Sequence, residues 1–600
     1  MELNTHANWD MTVFFPEFGG KEHLDFTDKM ESDLNELALL TAELKPIGPE
    51  TAEAWVEAIL RIEKIIADRT HLGCYLHCLA AADAQNEQYA AAIANLSRTG
   101  ALFSKALAPV DALLKKVDDD DFEALLSRRA LDSARYYLER SRQEAKWTMS
   151  AELEKLAADL MVDGLSAWSR LYDNVSSKLT FTMPGKDGPE TVPMAQKRSL
   201  LDDPDPIVRK NALVNSNAAW DEVCHVAAAS LNAIAGTRLT LYDRRGVPHF
   251  LDQAAFDAAT TRKTIDAMWR AVDKFRDIPH TFLKQKAKLI GRDRLGFQDI
   301  SCPLPGPTRT RYSWSEGAHF VQSAFDQRYP ALGTFVREIF AQRGVESEKR
   351  PGKRPGAFCS TSYKHPFSRV FMTFGGSLND IQTLAHELGH AWHGYLLRDV
   401  RPLSRMYPMT LAETASTFAE SILQEALINQ APDNEEGKAI RRSIVTARLN
   451  DAAIFTCDIH MRYLFEKSFY EERKAGQVSP TRLKELMLEA QETCFGDTLD
   501  PNELDPLFWA SKLHFYISGV SFYNFPYTFG FLLSRAITSL AQKSGSEFFN
   551  KYEYFLSLTG QRTCEQAVSE AFNMDISYEA FWAQALETIQ HDMDVFDATV

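Results

Sequence analysis

Cysteine is sparse in this chain. The eight residues are scattered through 600 positions and need no disulfide framework, which fits a reducing compartment. A basic surplus is missing as well. Sixty-six lysines and arginines stand against 82 aspartates and glutamates, a net charge of −16, so neither nucleic acid nor an anionic membrane is expected as a partner. The first twenty residues lack a basic start followed by an apolar core, so no secretory signal is read and a cytoplasmic location is expected. Fixed-period repeats and low-complexity tracts are absent. Residues 515–534 form a charge-free run long enough to imitate a membrane span. It carries Gly519, Asn524, Pro526 and Gly530 with Tyr516, Tyr523 and Tyr527, whereas a lipid-facing helix would be richer in Leu and Ile. The run reads as buried and functional.

What is present is ordinary globular composition, 45% hydrophobic and 25% charged. Six hundred residues exceed what one core supports, so at least two lobes are expected. Apolar residues at three- and four-residue spacing predict helices over 34–42, 52–69, 86–114, 122–138, 151–169, 440–475, 480–494 and 534–541. Strand signals are few. Lys178–Thr182 and Thr191–Val192 flank a Gly/Pro turn and read as a hairpin, which places a helical lobe over 1–190 and the remainder over 191–600. Val370–Phe374 reads as a strand that Gly356-Ala357-Phe358-Cys359 pairs with. An exposed edge there would hold an extended peptide through its main chain, with Gly356 and Phe358 in contact.

The densest chemistry lies just after that strand, in His386-Glu387-Leu388-Gly389-His390. Four residues apart on a helix, His386 and His390 share a face and can offer two imidazole nitrogens to one ion, while Glu387 lies one step round, placed to act as a base. Ser377 or Asn379 offers an N-cap after Gly375-Gly376. A catalytic zinc takes three protein ligands and keeps one position open. His393 shares the face but sits about 10 Å from His386 along the axis, too far for one ion, and reads as a cleft wall or as support behind the ligands. Leu396 occupies the place where a metzincin would carry its third histidine. Glu413, 23 residues after His390 and beyond a proline-stopped loop, can return beside the first helix as the third ligand. Glu420, two turns further on the same face, can orient a ligand histidine through its other ring nitrogen. His71, Cys74, His77 and Cys78 also cluster, but no second pair with metal-site spacing follows, and a buried helix is the expected reading.

Several segments together resemble the oligoendopeptidase F branch of the thimet-oligopeptidase-like zinc metallopeptidases. They are HELGH with Glu413 in LAETASTFAE, the GAFCS and FMTFGG segments before it, HFYISGVSFYNFPYTFG after it, and LSAWSRLYDNVSSKLTF with RSLLDDPDPIVRKNA upstream. The resemblance implies a mainly α fold, with two helical lobes flanking a deep substrate channel and a small β-sheet beside a zincin-type catalytic helix. It implies one Zn2+ per chain on His386, His390 and Glu413, and internal cleavage of short unstructured peptides by a metal-activated water, with Glu387 as general base. His514 and Tyr516, with Tyr523 or Tyr527, would line the channel, and Tyr527 or His514 would stabilise the oxyanion. An exopeptidase on the same scaffold is the alternative. It would need a basic residue for the substrate's terminal carboxylate, with Arg354, Arg369 and Arg535 as candidates. A peptide-binding protein without turnover is a second alternative, disfavoured because binding alone needs no base at Glu387.

Overall fold

The computed structural model of the protein describes residues 6–304, 311–365 and 368–599. It is mainly helical, 70% helix and 4% strand, with two small sheets. The chain divides into two compact units, each built from three separate stretches. Unit one comprises Met1–Lys146, Arg309–Gln430 and Leu540–Met574, and unit two Trp147–Thr308, Ala431–Ser539 and Asp575–Val600. The hairpin expected near residue 190 lies inside unit two, so the compact units are not consecutive parts of the chain.

Unit one opens with the helices Lys21–Glu43, Ala52–Ala82 and Glu87–Leu114. Their apolar faces meet in a core that includes Leu37, Trp55, Ile59 and Phe122, and the Trp55 Nε1–H donates to Lys45 O at 2.9 Å, so the buried indole keeps a partner. The single helix expected over 122–138 is two, Asp119–Leu126 and Arg135–Lys146. Between them the chain turns through a short 3-10 segment, with Ser133 at φ +66°, and buries Leu131 and Ala134 in the same core. Burial of those two side chains wins over continuous helical periodicity.

The unit's sheet has the order β3–β5–β4, formed by β3 (Val345–Glu346), β4 (Phe358–Ser360) and β5 (Arg369–Phe371). β4 runs antiparallel to β5, pairing Phe358 with Phe371 as the sequence suggests, and among the described residues no strand pairs with its other edge. The parallel partner β3 is too short to show in the sequence.

Unit two carries the hairpin of β1 (Thr180–Gly185) and β2 (Gly188–Pro193), closed by Lys186-Asp187 with Gly188 at φ +132°. Alternate residues Phe181 and Met183 bury against Ala212. The long helix expected over 440–475 forms as Glu435–Ala453 and Ile459–Arg473, joined by a π-helical turn at Ile454–Asp458. The charge-free run resolves into a 3-10 turn at Leu513–Tyr516, a loop, and the start of the helix Phe525–Lys543. Among the described residues no helix is long and apolar enough to cross a membrane.

Candidate metal centre

The motif helix, Leu378–Leu396, starts where the sequence allows it to. Ser377 Oγ accepts from Asp380 N at 3.1 Å, and Asp380 Oδ2 accepts from Ser377 N at 2.8 Å and from Gly375 N at 3.0 Å, so a capping box also ties down the glycine turn. The second helix, Met409–Gln430, packs directly on the first. Gly389 permits that approach, since a Cβ there would lie 2.6 Å from Ala415 O and 2.6 Å from Ser416 Cα. The glycine inside the pentad therefore sets the spacing between the helices that carry the candidate ligands.

At that crossing three donor atoms converge. Glu413 Oε2 lies 3.3 Å from His386 Nε2 and 3.3 Å from His390 Nε2, and all three are mutually within 4.8 Å. Tetrahedral ligands with bonds of about 2.0–2.1 Å stand about 3.3–3.4 Å apart. Two imidazoles and one carboxylate at this spacing fit a zinc ion. Among the described residues no other group of His, Cys, Asp or Glu gathers in this way.

The surroundings hold the candidate ligands in one orientation. His386 Nδ1 lies 2.6 Å from Glu420 Oε1, so its proton points to Glu420 and Nε2 faces the crossing. Ser416 Oγ donates to Glu413 Oε2 at 2.9 Å. Burial disfavours a charged His386, but hydrogen bonds with Glu413 and Glu420 outweigh it and raise the group to about 10. Burial likewise opposes the Glu413 carboxylate, yet the two imidazoles hold it well below the usual carboxylate range. Glu387 is buried beside them and raised, chiefly by burial.

Other expected residues fall elsewhere. His393 lines no cleft. It is fully buried, stacked on Tyr407 at 4.2 Å, with Nε2 at 2.8 Å from Thr559 Oγ1, and burial pushes it down to about 3. Tyr516 is likewise a core residue, stacked on Tyr172 at 3.6 Å, its hydroxyl donating to Trp509 O at 3.2 Å. Of the candidate carboxylate grips, Arg369 is buried and donates to Asp10 O and Ser368 O. Arg535 is spent on Thr588 and Asp592, and only Arg354 is exposed. Gly356, at φ +97°, leads into the edge strand β4, while Phe358 stacks on Phe371 at 5.0 Å and so packs inward. The His71 cluster is structural: His71 Nδ1 meets Ser362 Oγ at 2.9 Å, His77 Nδ1 meets Gly73 O at 2.7 Å, and none of the eight cysteines is in a disulfide.

Within unit two, His514, Tyr523 and Tyr527 form one half-buried ring cluster. His514 lies parallel to Tyr527 at 5.9 Å, and Tyr523 stands edge-on to both. His514 Nδ1 is 2.9 Å from Asn524 Oδ1. An amide oxygen only accepts, so Nδ1 carries the proton. Burial pushes His514 down to about 4, so at neutral pH the ring is uncharged and its Nε2 presents a lone pair. Behind Asn524 the wholly buried Glu466 is pushed up to about 7 by burial, and the Phe522 N–H and Asn524 pull it back. Sequence reasoning missed Asn524 and Glu466 as supports. A buried amide ten residues after a histidine leaves no periodic trace, although the unusual polarity of the charge-free run was a signal.

Known proteins resemble this chain along most of its length. The model of peptidase family M3 matches residues 329–587 and that of oligopeptidase F matches 114–181. An oligoendopeptidase F homolog of Lactococcus lactis subsp. lactis is 25% identical over 466 residues, covering 75% of this chain and 74% of the relative. Oligopeptidase PepF of Bacillus subtilis is 22% identical over 571 residues, covering 92% and 82%. The solved structure of oligoendopeptidase F from Enterococcus faecium superposes with a TM-score of 0.71 at 18% identity, over 96% of this chain and 99% of that one. A candidate peptidase of Chlamydophila abortus gives 0.82 at 19% identity, over 99% and 98%. With two family models matching, curated relatives aligned along most of the sequence and the fold shared nearly end to end, this chain belongs to peptidase family M3, in its oligoendopeptidase F-like branch.

Proposed function

We propose that the protein is a zinc-dependent endopeptidase that hydrolyses internal bonds of short, unstructured peptides. The observation that carries this reading is the convergence of His386 Nε2, His390 Nε2 and Glu413 Oε2 with the buried Glu387 carboxyl alongside. A bound zinc ion would lower the pKa of water toward neutrality and polarise a carbonyl.

The remaining roles belong to the chain itself. Glu387 accepts the proton of the attacking water and returns it to the leaving amine. Glu420 fixes the tautomer of His386. The Tyr527 phenol donates to the oxygen of the scissile carbonyl as negative charge develops there. His514, uncharged and protonated at Nδ1, offers an acceptor at Nε2, which suits a substrate N–H better than an oxyanion. The outer edge of β4 can take an extended peptide through main-chain hydrogen bonds.

The test is mass spectrometry of products from unmodified and end-blocked short peptides, with and without a zinc chelator. Chelator-sensitive internal cuts in end-blocked peptides are expected. Cleavage that disappears when one terminus is blocked would replace the reading with an exopeptidase, and bound zinc without any cleavage would replace it with a peptide-binding protein. Metal analysis of the purified protein should give one zinc per chain, lost in His386→Ala.

A further inference from the structure

Unit two carries an open cavity of about 640 Å³ that contains His514 and Tyr527 in its wall. Its charged lining sorts into pairs and a remainder. Lys197 Nζ lies 3.5 Å from Asp505 Oδ2, and Asp505 also accepts from Asn217 Nδ2 at 2.8 Å. Arg462 pairs with Asp458 one helical turn away, at the π-helical segment. Asp451 sits exposed at the rim, with interactions of its own. Two cations are left over. Arg198 is exposed, Lys512 is half-buried, and among the described residues neither has a hydrogen-bonding or ion-pairing partner for its charged group.

Lys512 is the more telling of the two. Burial lowers it to about 8, and the neighbouring Arg462 and Arg198 push in the same direction, against Asp458. An ammonium withdrawn from water without an acceptor is costly, and the same group becomes an asset once a carboxylate reaches it. Its place in the chain brings it to the ring cluster. In Lys512-Leu513-His514 the middle side chain turns outward, 49% exposed, while both flanking residues line the cavity. A local cationic surplus is all the more specific because the chain as a whole carries −16.

We propose that this cavity receives a carboxylate of the peptide substrate, held by the Lys512 ammonium with Arg198 at its mouth. The inference rests on the peptidase reading above and adds a substrate class to it. The carboxylate can come from the substrate's C-terminus or from an Asp or Glu side chain, and the two sources are separable. Capture of the C-terminus would make cleavage count from that end.

Binding is measured by calorimetry on the Glu387→Gln protein, so that the result does not depend on turnover. Three peptides of equal length are compared: one with neutral side chains and a free C-terminus, one amidated with a single glutamate, and one amidated and wholly neutral. At least one carboxylate peptide should bind about 10- to 100-fold more tightly than the neutral one, the range for a hydrogen bond to a charged group. Tighter binding of the first identifies the terminal carboxylate, and of the second the side chain. Adding Lys512→Met should abolish the difference, and Arg198→Gln, at an exposed position, should narrow it. Equal affinity for all three peptides overturns the inference, as does a difference that survives in both variants. Should Lys512→Met not fold, Arg198→Gln alone decides. Absence of cleavage by the wild-type protein would instead strike the peptidase reading and leave these binding ratios standing.

Discussion

Substituting alanine for Gly389 separates two things that a glycine in the proposed metal-binding helix can do. A Cβ at this position would stand 2.6 Å from Ala415 O and Ser416 Cα, against 3.4 Å for the start of ordinary contact. The helix Met409–Gln430 must therefore retreat by about 0.8 Å, because main-chain atoms cannot rotate away as a flexible side chain would. Glu413 rides on that helix. Ligand positions in a metal site tolerate deviations of about 0.2 Å, so the carboxylate leaves the crossing it now shares with His386 and His390. Overpacking costs roughly 1–3 kcal/mol, while glycine to alanine inside a helix returns about 1 kcal/mol. The net loss of stability is therefore small, at most about 2 kcal/mol. Zinc affinity should fall further, by at least about tenfold, the low end of what disturbing a ligand's support costs. Chelator competition measures the affinity, and thermal unfolding in the presence of chelator measures the stability of the metal-free fold. Wild-type zinc affinity in Gly389→Ala would refute the argument that this glycine sets the ligand spacing.

Glu387→Gln should keep its zinc and lose at least about 10²-fold in kcat, since a general base contributes about 10²–10⁴; activity near a tenth of wild type would remove Glu387 from the mechanism. Glu420→Gln weakens the hold on His386 Nδ1 and should lower zinc affinity about 10- to 100-fold, and an unchanged affinity would leave Glu420 without that role. Tyr527→Phe should reduce kcat, by about 10²-fold, more than it raises KM; the opposite split would make Tyr527 a binding contact. The Lys286 ammonium, buried and bound to Ile300 O at 2.7 Å and Asn450 Oδ1 at 2.8 Å, is lowered to about 8 by burial, against about 10.4 in an unfolded chain. Between those values the unfolded chain holds the extra proton, so stability should rise from pH ~8 to ~10 relative to Lys286→Met, and parallel denaturation profiles for the two proteins would contradict this.

Much of the candidate centre was legible because its chemistry is local. His386 and His390 are one helical turn apart, so a helix alone puts them on one face, and the capping serine announces where that helix begins. Glu413 needed only a loop and a returning helix. The supports were harder to read. Gly389 looks like any helical glycine until the second backbone is seen against it, and Ser416 is one more small polar residue until its hydroxyl is found on Glu413. His393 misled for the opposite reason. Periodicity put it in the row with the ligands, but seven residues of rise carry it into the interior beside Thr559.

By itself the sequence determined what short-range geometry and composition can settle: mainly helical structure, the hairpin, the pairing of Phe358 and Cys359 with the strand before the motif, and two histidines and a glutamate on one helical turn. The tertiary structure alone decided which of several equivalent aromatic and basic side chains face a cavity and which fill a core. Tyr516 and Tyr527 are both tyrosines of one charge-free run, yet the first is stacked under Tyr172 and the second stands in the wall of a cavity. Arg369 and Lys512 are both cations near polar segments, yet carbonyl oxygens occupy the first, and no described residue hydrogen-bonds or ion-pairs with the second. Exposure and pairing depend on residues brought together from distant parts of the chain, and no periodicity along the chain encodes that distance.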